Sequence, residues 1–595
     1  MSVIHIERER PLKTRELLVP IVIGLFFLLF FFRLWYLQVV QSEELRERGR
    51  SFQEMVARKD APRGQIFDRN GKLLAGVRSE IVLTAQPGIV RKSPEIVEKI
   101  ARFLDVAPSK LQRKIDDAFW RPYLATPIYN DVPIEIAVKI AESGDKYSGF
   151  GIEFQPLRYY IDPFSFAHVL GYVSAPNQKD VAKIQDAGFK PQRYVGKMGI
   201  ESRYEFDLMG KFGEEHMDVD VRRRPLRTHG KDQAIPGEKL VLTLDAGLQK
   251  FAAEKLKGFT GAIVALDPST GEVLCMVSSP AFDASKFIHG ISSSDWKSLL
   301  EDEKTPMLNR AISARYPPGS AFKIVTTLAA MLKGKFNPHE TLHCTGTRRI
   351  GDRYFRCLGV HGTVDFKKAL AKSCNAYLGE LAHRAGVDGM REACKLLKVD
   401  QKTEIDLGGE SKGIYPSEEC VRRWRKSGAW YIGDTYNFAN GQGEVALTPL
   451  QMACIVSLVA NRGIAYQPHL LRSKSLSVIQ EQAGHEKPTI LSQINLPDEY
   501  WDLFHEAMIE VIQSGSGKRG KVDGIVWAGK TGSADHKKGE RSHSWFIGFA
   551  PAKQPKIAVA VIAEKFGLGG MLAAPIAGDL VRYYLLPPNK SLPEA

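Results

Sequence analysis

The chain has 595 residues, 44% hydrophobic, 25% charged and 9% aromatic, which excludes a disordered, collagen-like or disulfide-scaffold protein and leaves room for more than one packed core. Lys and Arg number 82 against 68 Asp and Glu, a formal charge of +14, which suits an anionic membrane surface or an acidic polymer. Nucleic acid is not an expected partner, because the densest basic runs, 222–224 and 518–521, are short and lack interleaved aromatics.

From residue 17 to 32 the chain carries no charge, and beyond Arg33 the apolar run resumes as far as Val40. A helix over 17–40 spans a hydrocarbon core of about 30 Å, with Arg33 reaching the interface beside Trp35 and Tyr36. The competing reading is a cleaved signal peptide, since Arg8, Arg10, Lys13 and Arg15 precede the stretch. Against it, no small-x-small cleavage site follows, and 41–58 reads as helical. Basic residues flank both ends, with Arg46, Arg48 and Arg50 close behind, so charge alone does not orient the span. A short cytoplasmic tail, 1–16, and an exported body are the expectation, supported by the chemistry below. With no second such run, the chain is a single-pass protein and neither a channel nor a transporter.

Residues 41–236 mix charged helical stretches with turn clusters such as Asp68-Arg69-Asn70-Gly71 and carry no catalytic cluster, so they read as an elongated pedestal. From Gly237 the texture changes. Residues 241–244 read as a strand and 247–256 as a helix, and 262–266 and 272–278 read as strands joined by the hairpin signal Asp267-Pro268-Ser269-Thr270-Gly271. Three more strands are expected at 525–528, 545–550 and 557–563. Two early and three late strands around a helix-rich middle predict an α+β domain over 237–586, with a five-stranded antiparallel sheet built from both of its ends. Residues 587–595 read as a frayed tail.

Tyr316-Pro317-Pro318-Gly319 breaks the chain before Ser320-Ala321-Phe322-Lys323 and an apolar run of good helix formers. Ser320 is therefore placed at or near a helix N-terminus, where the dipole favours developing negative charge. Lys323 returns to the same face one turn later, and it can act as a base only if desolvation or a nearby cation lowers its pKa. Ser-x-x-Lys alone is a common tetrapeptide. Two further pieces add to it: Ser373-Cys374-Asn375, a hydroxyl and an amide suited to relaying a proton and orienting a carbonyl, and Lys530-Thr531-Gly532-Ser533, a strand start offering a cation, two hydroxyls and a close backbone approach. In this order they form the motif set of penicillin-binding proteins and class A β-lactamases.

At these residues the chain resembles the class B penicillin-binding proteins. The likeness extends to Arg63-Gly64-Gln65-Ile66-Phe67-Asp68-Arg69-Asn70-Gly71 and to Gly196, Gly199, Glu201 and Tyr204 in the pedestal. Phe282-Asp283, Phe287, Gly290, Trp296, Asn309-Arg310-Ala311 and Tyr316 to Ser320 look like the members that serve cell elongation. Ala284-Ser285 and Asn440 depart from the pattern outside the catalytic motifs. The resemblance implies a D,D-transpeptidase: Ser320 attacks the penultimate D-Ala of a stem pentapeptide, D-Ala leaves, and an amine of a neighbouring stem resolves the acyl-enzyme into a 4,3 cross-link. It implies that Lys323 is the base, that Ser373 and Asn375 relay and position, and that Lys530 is an electrostatic partner. Thr531, Gly532 and Ser533 would bind substrate, with the backbone N–H groups of Ser320 and Ser533 as oxyanion hole. It further implies acylation by β-lactams and no cofactor for catalysis. The implied location is the cell (inner) membrane with the body in the periplasm or extracytoplasmic space. The implied partners are a polytopic SEDS-type glycosyltransferase and other elongation proteins.

Cys344, Cys357, His361 and Cys374 follow in the spacing C-x12-C-x3-H-x12-C. Three thiolates and an imidazole are the ligand set of a closed tetrahedral Zn²⁺ site, and several glycines make the intervening loop pliable. A disulfide among these cysteines, or plain buried thiols, are the alternatives. Because Cys374 lies within Ser-x-Asn, a metal here would be structural. Cys275, Cys394, Cys420 and Cys454 read as core residues, and His543 as a packing residue. The rival functions are a membrane-anchored β-lactamase or D,D-carboxypeptidase and a non-catalytic activator of a glycosyltransferase. A bifunctional enzyme lacks support, since the pedestal shows no glycosyltransferase signature.

Overall fold

A computed structural model of the chain describes residues 14–43, 54–120, 122–220, 225–350, 353–474, 488–535 and 540–586. The expected tail 587–595, the first thirteen residues of the N-terminal tail and the basic run 222–224 lie outside the described residues.

The helix Thr14–Trp35 continues as one wider turn, Tyr36–Val40. The stretch Pro20–Val40 has a mean hydropathy of 2.1 and none of it is buried, which satisfies the length and composition of a membrane span. The helical expectation for 41–58 fails at its far end. Glu54–Lys59 is a strand, paired antiparallel with Gly213–Val219, and its residues Arg58 and Lys59 form ion pairs across it with Glu214 and Glu215. Cross-strand pairing with a distant partner outweighs the local charged pattern.

The chain forms two compact units. One comprises Met1–Asp60, Ser79–Gln155 and Phe212–Ile235. Its core joins Val97 and Ile100 of the helix Pro94–Phe103 to Leu111 and Ile115 of Pro108–Asp117 and to Ile128 of a short strand. Spacings of three and four place each pair on one helix face.

The other unit comprises Ala61–Arg78, Pro156–Lys211 and Pro236–Ala595. Its catalytic part contains strands β1 (Gly261–Leu266), β2 (Val273–Ser279), β3 (Ala528–Ala534), β4 (His543–Ala550) and β5 (Ile557–Ala563), and helices α1 (Ala246–Leu256), α2 (Lys323–Leu332), α3 (Asn375–Leu396), α4 (Pro449–Ala460), α5 (Asp498–Gln513) and α6 (Ala573–Leu585). The five strands form one antiparallel sheet in the order β2-β1-β5-β4-β3. The early and late strands thus meet at β1 and β5, as expected. One strand differs: 525–527 precede β3, which runs Ala528–Ala534 and so contains the whole Lys530 motif.

Both faces of the sheet are covered, so β5 is apolar throughout and every residue of it is buried. Ile263, Ala265, Val559 and Val561 pack with Leu248 and Ala252 of α1 and Leu580 of α6. Ala262, Val264, Ala560 and Ile562 share the larger core with α2 and α4. All twelve residues of α4 are buried, which explains a helix that is apolar on every side save for Gln451 and Ser457.

In the same unit a buried charge cluster ties the early motif to the later one. Glu201, with no exposed surface, accepts from the Arg63 Nε at 2.6 Å and the Arg158 Nε at 2.5 Å, and Glu205 accepts from both terminal nitrogens of Arg63. The two guanidiniums hold the Glu201 carboxyl below its ordinary pKa although burial pushes the other way. Of the cysteines expected in the core, Cys275, Cys394 and Cys454 are buried, whereas Cys420 is half-exposed on the helix Glu418–Trp424. That short helix has only Val421 buried, so Cys420 lies off its packed face.

Candidate active site

Ser320 lies half-buried on a 3-10 turn, Gly319–Phe322, that runs directly into α2. Two glycines let this turn close on β3, the edge strand of the sheet. A Cβ on Gly319, whose φ is +54°, would meet the Ser533 carbonyl oxygen at 2.4 Å, and one on Gly532 would meet the Pro318 carbonyl oxygen at 2.6 Å. The Gly319 N–H donates to the Gly441 carbonyl at 3.0 Å, and the Trp545 Nε1 donates to that of Pro317 at 3.0 Å.

The first turn of α2 aims Lys323 into the protein, fully buried. Its Nζ donates to the Ser373 carbonyl at 2.8 Å, the Ser373 Oγ at 3.0 Å and the Asn375 Oδ1 at 2.6 Å. Lys530, equally buried, donates from β3 to the Ser373 Oγ at 3.1 Å and to the Thr531 carbonyl at 2.9 Å. Burial brings the Lys323 ammonium down to about 8, against the opposing pull of Cys357 and Cys374. Burial, and then the neighbouring Lys323 charge, hold Lys530 well below its ordinary value. Ser373 itself has φ +55°, a backbone state unusual outside glycine. It is set between the end of the helix Phe366–Ala371 and the start of α3.

The remaining expected residues fall into place around these. The Thr531 Oγ1 lies 2.6 Å from the Ser516 Oγ, and the Ser533 Oγ accepts from the Gly569 N–H at 3.1 Å. The Asn375 Nδ2 donates to the Arg356 carbonyl at 2.8 Å. Ser516 and Gly569 escape sequence reasoning, since they belong to no motif and stand in glycine-rich segments, Gly515-Ser516-Gly517 and Gly567 to Gly570. His543 is buried on β4 with its ring against that of Tyr316, at 5.5 Å and 78°, so it packs as expected.

The Cys/His group converges from four segments beside Asn375. Cys344 ends the strand Leu342–Cys344, Cys357 follows the strand Arg353–Arg356, His361 precedes Gly362–Val364, and Cys374 is the N-cap of α3. One ligand atom from each lies within 4.8 Å of all the others. The Cys357 and Cys374 sulfurs are 3.8 Å apart, and the Cys344 Sγ is 3.5 Å from the His361 Nδ1. No disulfide links them; all seven cysteines are free. Zn–S bonds of about 2.3 Å and Zn–N bonds of about 2.0 Å at tetrahedral angles require S···S near 3.8 Å and S···N near 3.5 Å, so the donor set fits that ion. The Cys357 Sγ also accepts from the backbone N–H groups of Asn375 at 3.1 Å and Ala376 at 3.3 Å.

Comparison with known proteins adds independent findings. The family model described as the penicillin binding protein transpeptidase domain matches residues 261–582, and that of the penicillin-binding protein dimerisation domain matches residues 58–242. Peptidoglycan D,D-transpeptidase MrdA of Acinetobacter baumannii is 35% identical over 582 residues, covering 93% of this chain and 85% of its own. A structure of penicillin-binding protein 2 in complex with MreC from Helicobacter pylori is similar with a TM-score of 0.76 at 26% identity, over 89% of this chain and 98% of that one. A chain from a peptidoglycan synthase complex, described for its structural coordination of polymerization and crosslinking, is similar with a TM-score of 0.71 at 28% identity, over 98% of this chain and all of that one.

Proposed function

The chain belongs to the class B penicillin-binding proteins and is a peptidoglycan D,D-transpeptidase of cell elongation, and we propose that Ser320 is its nucleophile, with Lys323 as the base that activates it. The observation that supports this reading is the pair of buried lysines converging on the Ser373 hydroxyl, Lys323 of the pair standing three residues after Ser320 in the chain. With a pKa of about 8, about a tenth of Lys323 is neutral at pH 7, enough to accept the Ser320 proton as the hydroxyl attacks the penultimate D-Ala carbonyl. Ser373, held between the two lysines, passes that proton to the leaving D-Ala amine. The same groups then accept a proton from the incoming stem amine as it resolves the ester. The backbone N–H groups of Ser320 and Ser533 stabilise the oxyanion. Thr531 and Ser533 receive the substrate carboxylate, Gly532 lets the stem backbone lie against β3, Asn375 orients the stem amide, and Lys530 keeps the local field positive.

No cofactor takes part in these steps. Cys344, Cys357, His361 and Cys374 would hold a structural Zn²⁺, which supplies a fixed point for the start of α3 and hence for Ser373 and Asn375. The division of labour along the chain is a tail over 1–16, a membrane span over 17–40, a pedestal over 41–236, the transpeptidase domain over 237–586 and a tail over 587–595. The body works in the periplasm at the inner membrane, on stem peptides and on β-lactams. The pedestal serves a SEDS-type glycosyltransferase and other elongation proteins, supported by the Helicobacter pylori relative solved with MreC.

The test is covalent labelling by a fluorescent penicillin, read by intact mass. A stable adduct on the wild type, lost in Ser320→Ala, is expected. Turnover of the drug would favour a β-lactamase or carboxypeptidase, and an unlabelled wild type would favour a non-catalytic activator.

A further inference from the structure

The residue before the two prolines is held unusually firmly. Tyr316 is buried, and its backbone exchanges two hydrogen bonds with Leu447, at 2.9 and 3.0 Å. Its hydroxyl donates to the Glu564 Oε1 at 2.7 Å. The same carboxylate oxygen accepts from the Nε of Arg310 at 2.8 Å, and the rest of that guanidinium is bound to the carbonyls of Lys304 and Thr305. Glu564 stands just past the end of β5, its backbone N–H fixed on the Thr260 carbonyl at 2.7 Å. The ring of Tyr316 lies edge-on to Trp545, 6.1 Å between centroids, and Trp545 in turn donates to the Pro317 carbonyl.

We propose that Glu564 is a positioning residue for the transpeptidation, acting through Tyr316 and Arg310 to fix the height and direction from which Ser320 meets the edge of β3. Between Tyr316 and Ser320 stand only Pro317, Pro318 and Gly319. Each proline has its φ locked by the ring and the Pro317 carbonyl is held by Trp545, so few torsions are left to absorb a shift at Tyr316 before it reaches Gly319. Gly319 has no slack of its own, since its amide is bound to Gly441 and its Cα is packed on Ser533. Glu564 therefore joins the last strand of the sheet to the nucleophile turn by one charged oxygen that two donors share. A neutral amide in its place offers a weaker acceptor and brings donors of its own to face Tyr316 and Arg310.

The inference rests on Ser320 being the nucleophile. The test uses the full chain in detergent and a chromogenic penicillin, with the acylation rate constant and the dissociation constant of the first complex separated by the dependence of rate on drug concentration. Glu564→Gln is expected to slow acylation by about 10- to 100-fold, the range for a misplaced reacting group, while the dissociation constant stays within about twofold. Tyr316→Phe, which removes only a hydroxyl, is expected to act alike, and the double variant to be no slower than the slower single one, because both cut one connection. Unchanged acylation in both single variants would overturn the inference. So would a loss shared between rate and affinity in step with a lower melting temperature, or losses that multiply in the double variant. Ser320→Ala is measured in parallel: if it still labels, the nucleophile is wrong, whereas a silent Ser320→Ala beside an unimpaired Glu564→Gln sinks only the positioning role.

Discussion

The Nζ atoms of Lys323 and Lys530 lie 3.0 and 3.1 Å from the same atom, the Oγ of Ser373. Two ammonium groups so close, both without exposed surface, cannot both stay charged cheaply. In the base role proposed for Lys323, the neutral amine is the competent form, and it is populated as pH rises through its lowered pKa of about 8. Acylation of Ser320 by a chromogenic penicillin should therefore climb about tenfold per unit at low pH and level off above a midpoint near 8. Lys323→Arg, which keeps the charge but cannot lose its proton, should fall by about 100- to 10,000-fold. A rate that is flat across neutral pH would remove Lys323 from the base role.

Ser516 should matter although it lies outside every motif. Its hydroxyl is 2.6 Å from that of Thr531, so in the reading proposed for Thr531 it would hold the hydroxyl that is to meet the substrate carboxylate. Ser516→Ala should weaken acylation about 3- to 10-fold, the value of one hydrogen bond of about 1 kcal/mol, with Ser516→Thr restoring it. Equal rates for all three proteins would mean that Thr531 orients itself.

Much of the candidate site was legible because its residues come in short blocks whose spacing is fixed by one helix turn or one strand. Ser320 with Lys323, and Lys530 with Ser533, are such blocks. Four of the five strands were legible for a similar reason, each being a mostly apolar run bounded by turn residues, whereas β3, Ala528-Gly529-Lys530-Thr531-Gly532-Ser533-Ala534, is no such run and lies later than the 525–528 expected. The partners of these groups were not. Arg356 holds Asn375 through a carbonyl, and Gly569 holds Ser533 through an N–H, so side-chain identity carries no signal for either. The strand Glu54–Lys59 misled in the opposite direction, since its charged sequence is stabilised by a partner more than 150 residues away. The convergence of Cys344, Cys357, His361 and Cys374 was visible as a spacing, but their meeting beside Asn375 depends on two small hairpins that only pairing defines.

Glu201 carries stability in place of chemistry. Glu201→Gln would leave Arg63 and Arg158 buried without their shared counter-charge, a loss of about 3–5 kcal/mol, read as a fall in melting temperature of roughly 6–12 °C. The wild-type carboxyl has a folded-state pKa below its ordinary 4.5. Its contribution is thus present above that pH and lost as pH falls through the lower folded value. The wild type should lose stability on acidification below about pH 4.5 more steeply than Glu201→Gln does. Parallel curves for the two proteins would show that the cluster is not the acid-sensitive element.

The Cys/His group yields the last expectation. If it holds Zn²⁺, elemental analysis of freshly purified protein should find one zinc per chain, and Cys357→Ser should lower that content while leaving the chain folded. Chelation should bring down the melting temperature by at least about 5 °C, because an ion bound only by the folded state stabilises it by mass action. Acylation should fall with it and return on adding zinc, since the Cys357 sulfur that would ligate the ion also accepts the Asn375 and Ala376 N–H groups. The loss should appear in the rate of acylation and in melting together, as such an ion would fix the start of α3 without touching a reacting atom. Protein that is metal-free as purified and melts identically with and without a chelator would show that these four side chains meet as thiols and imidazole alone.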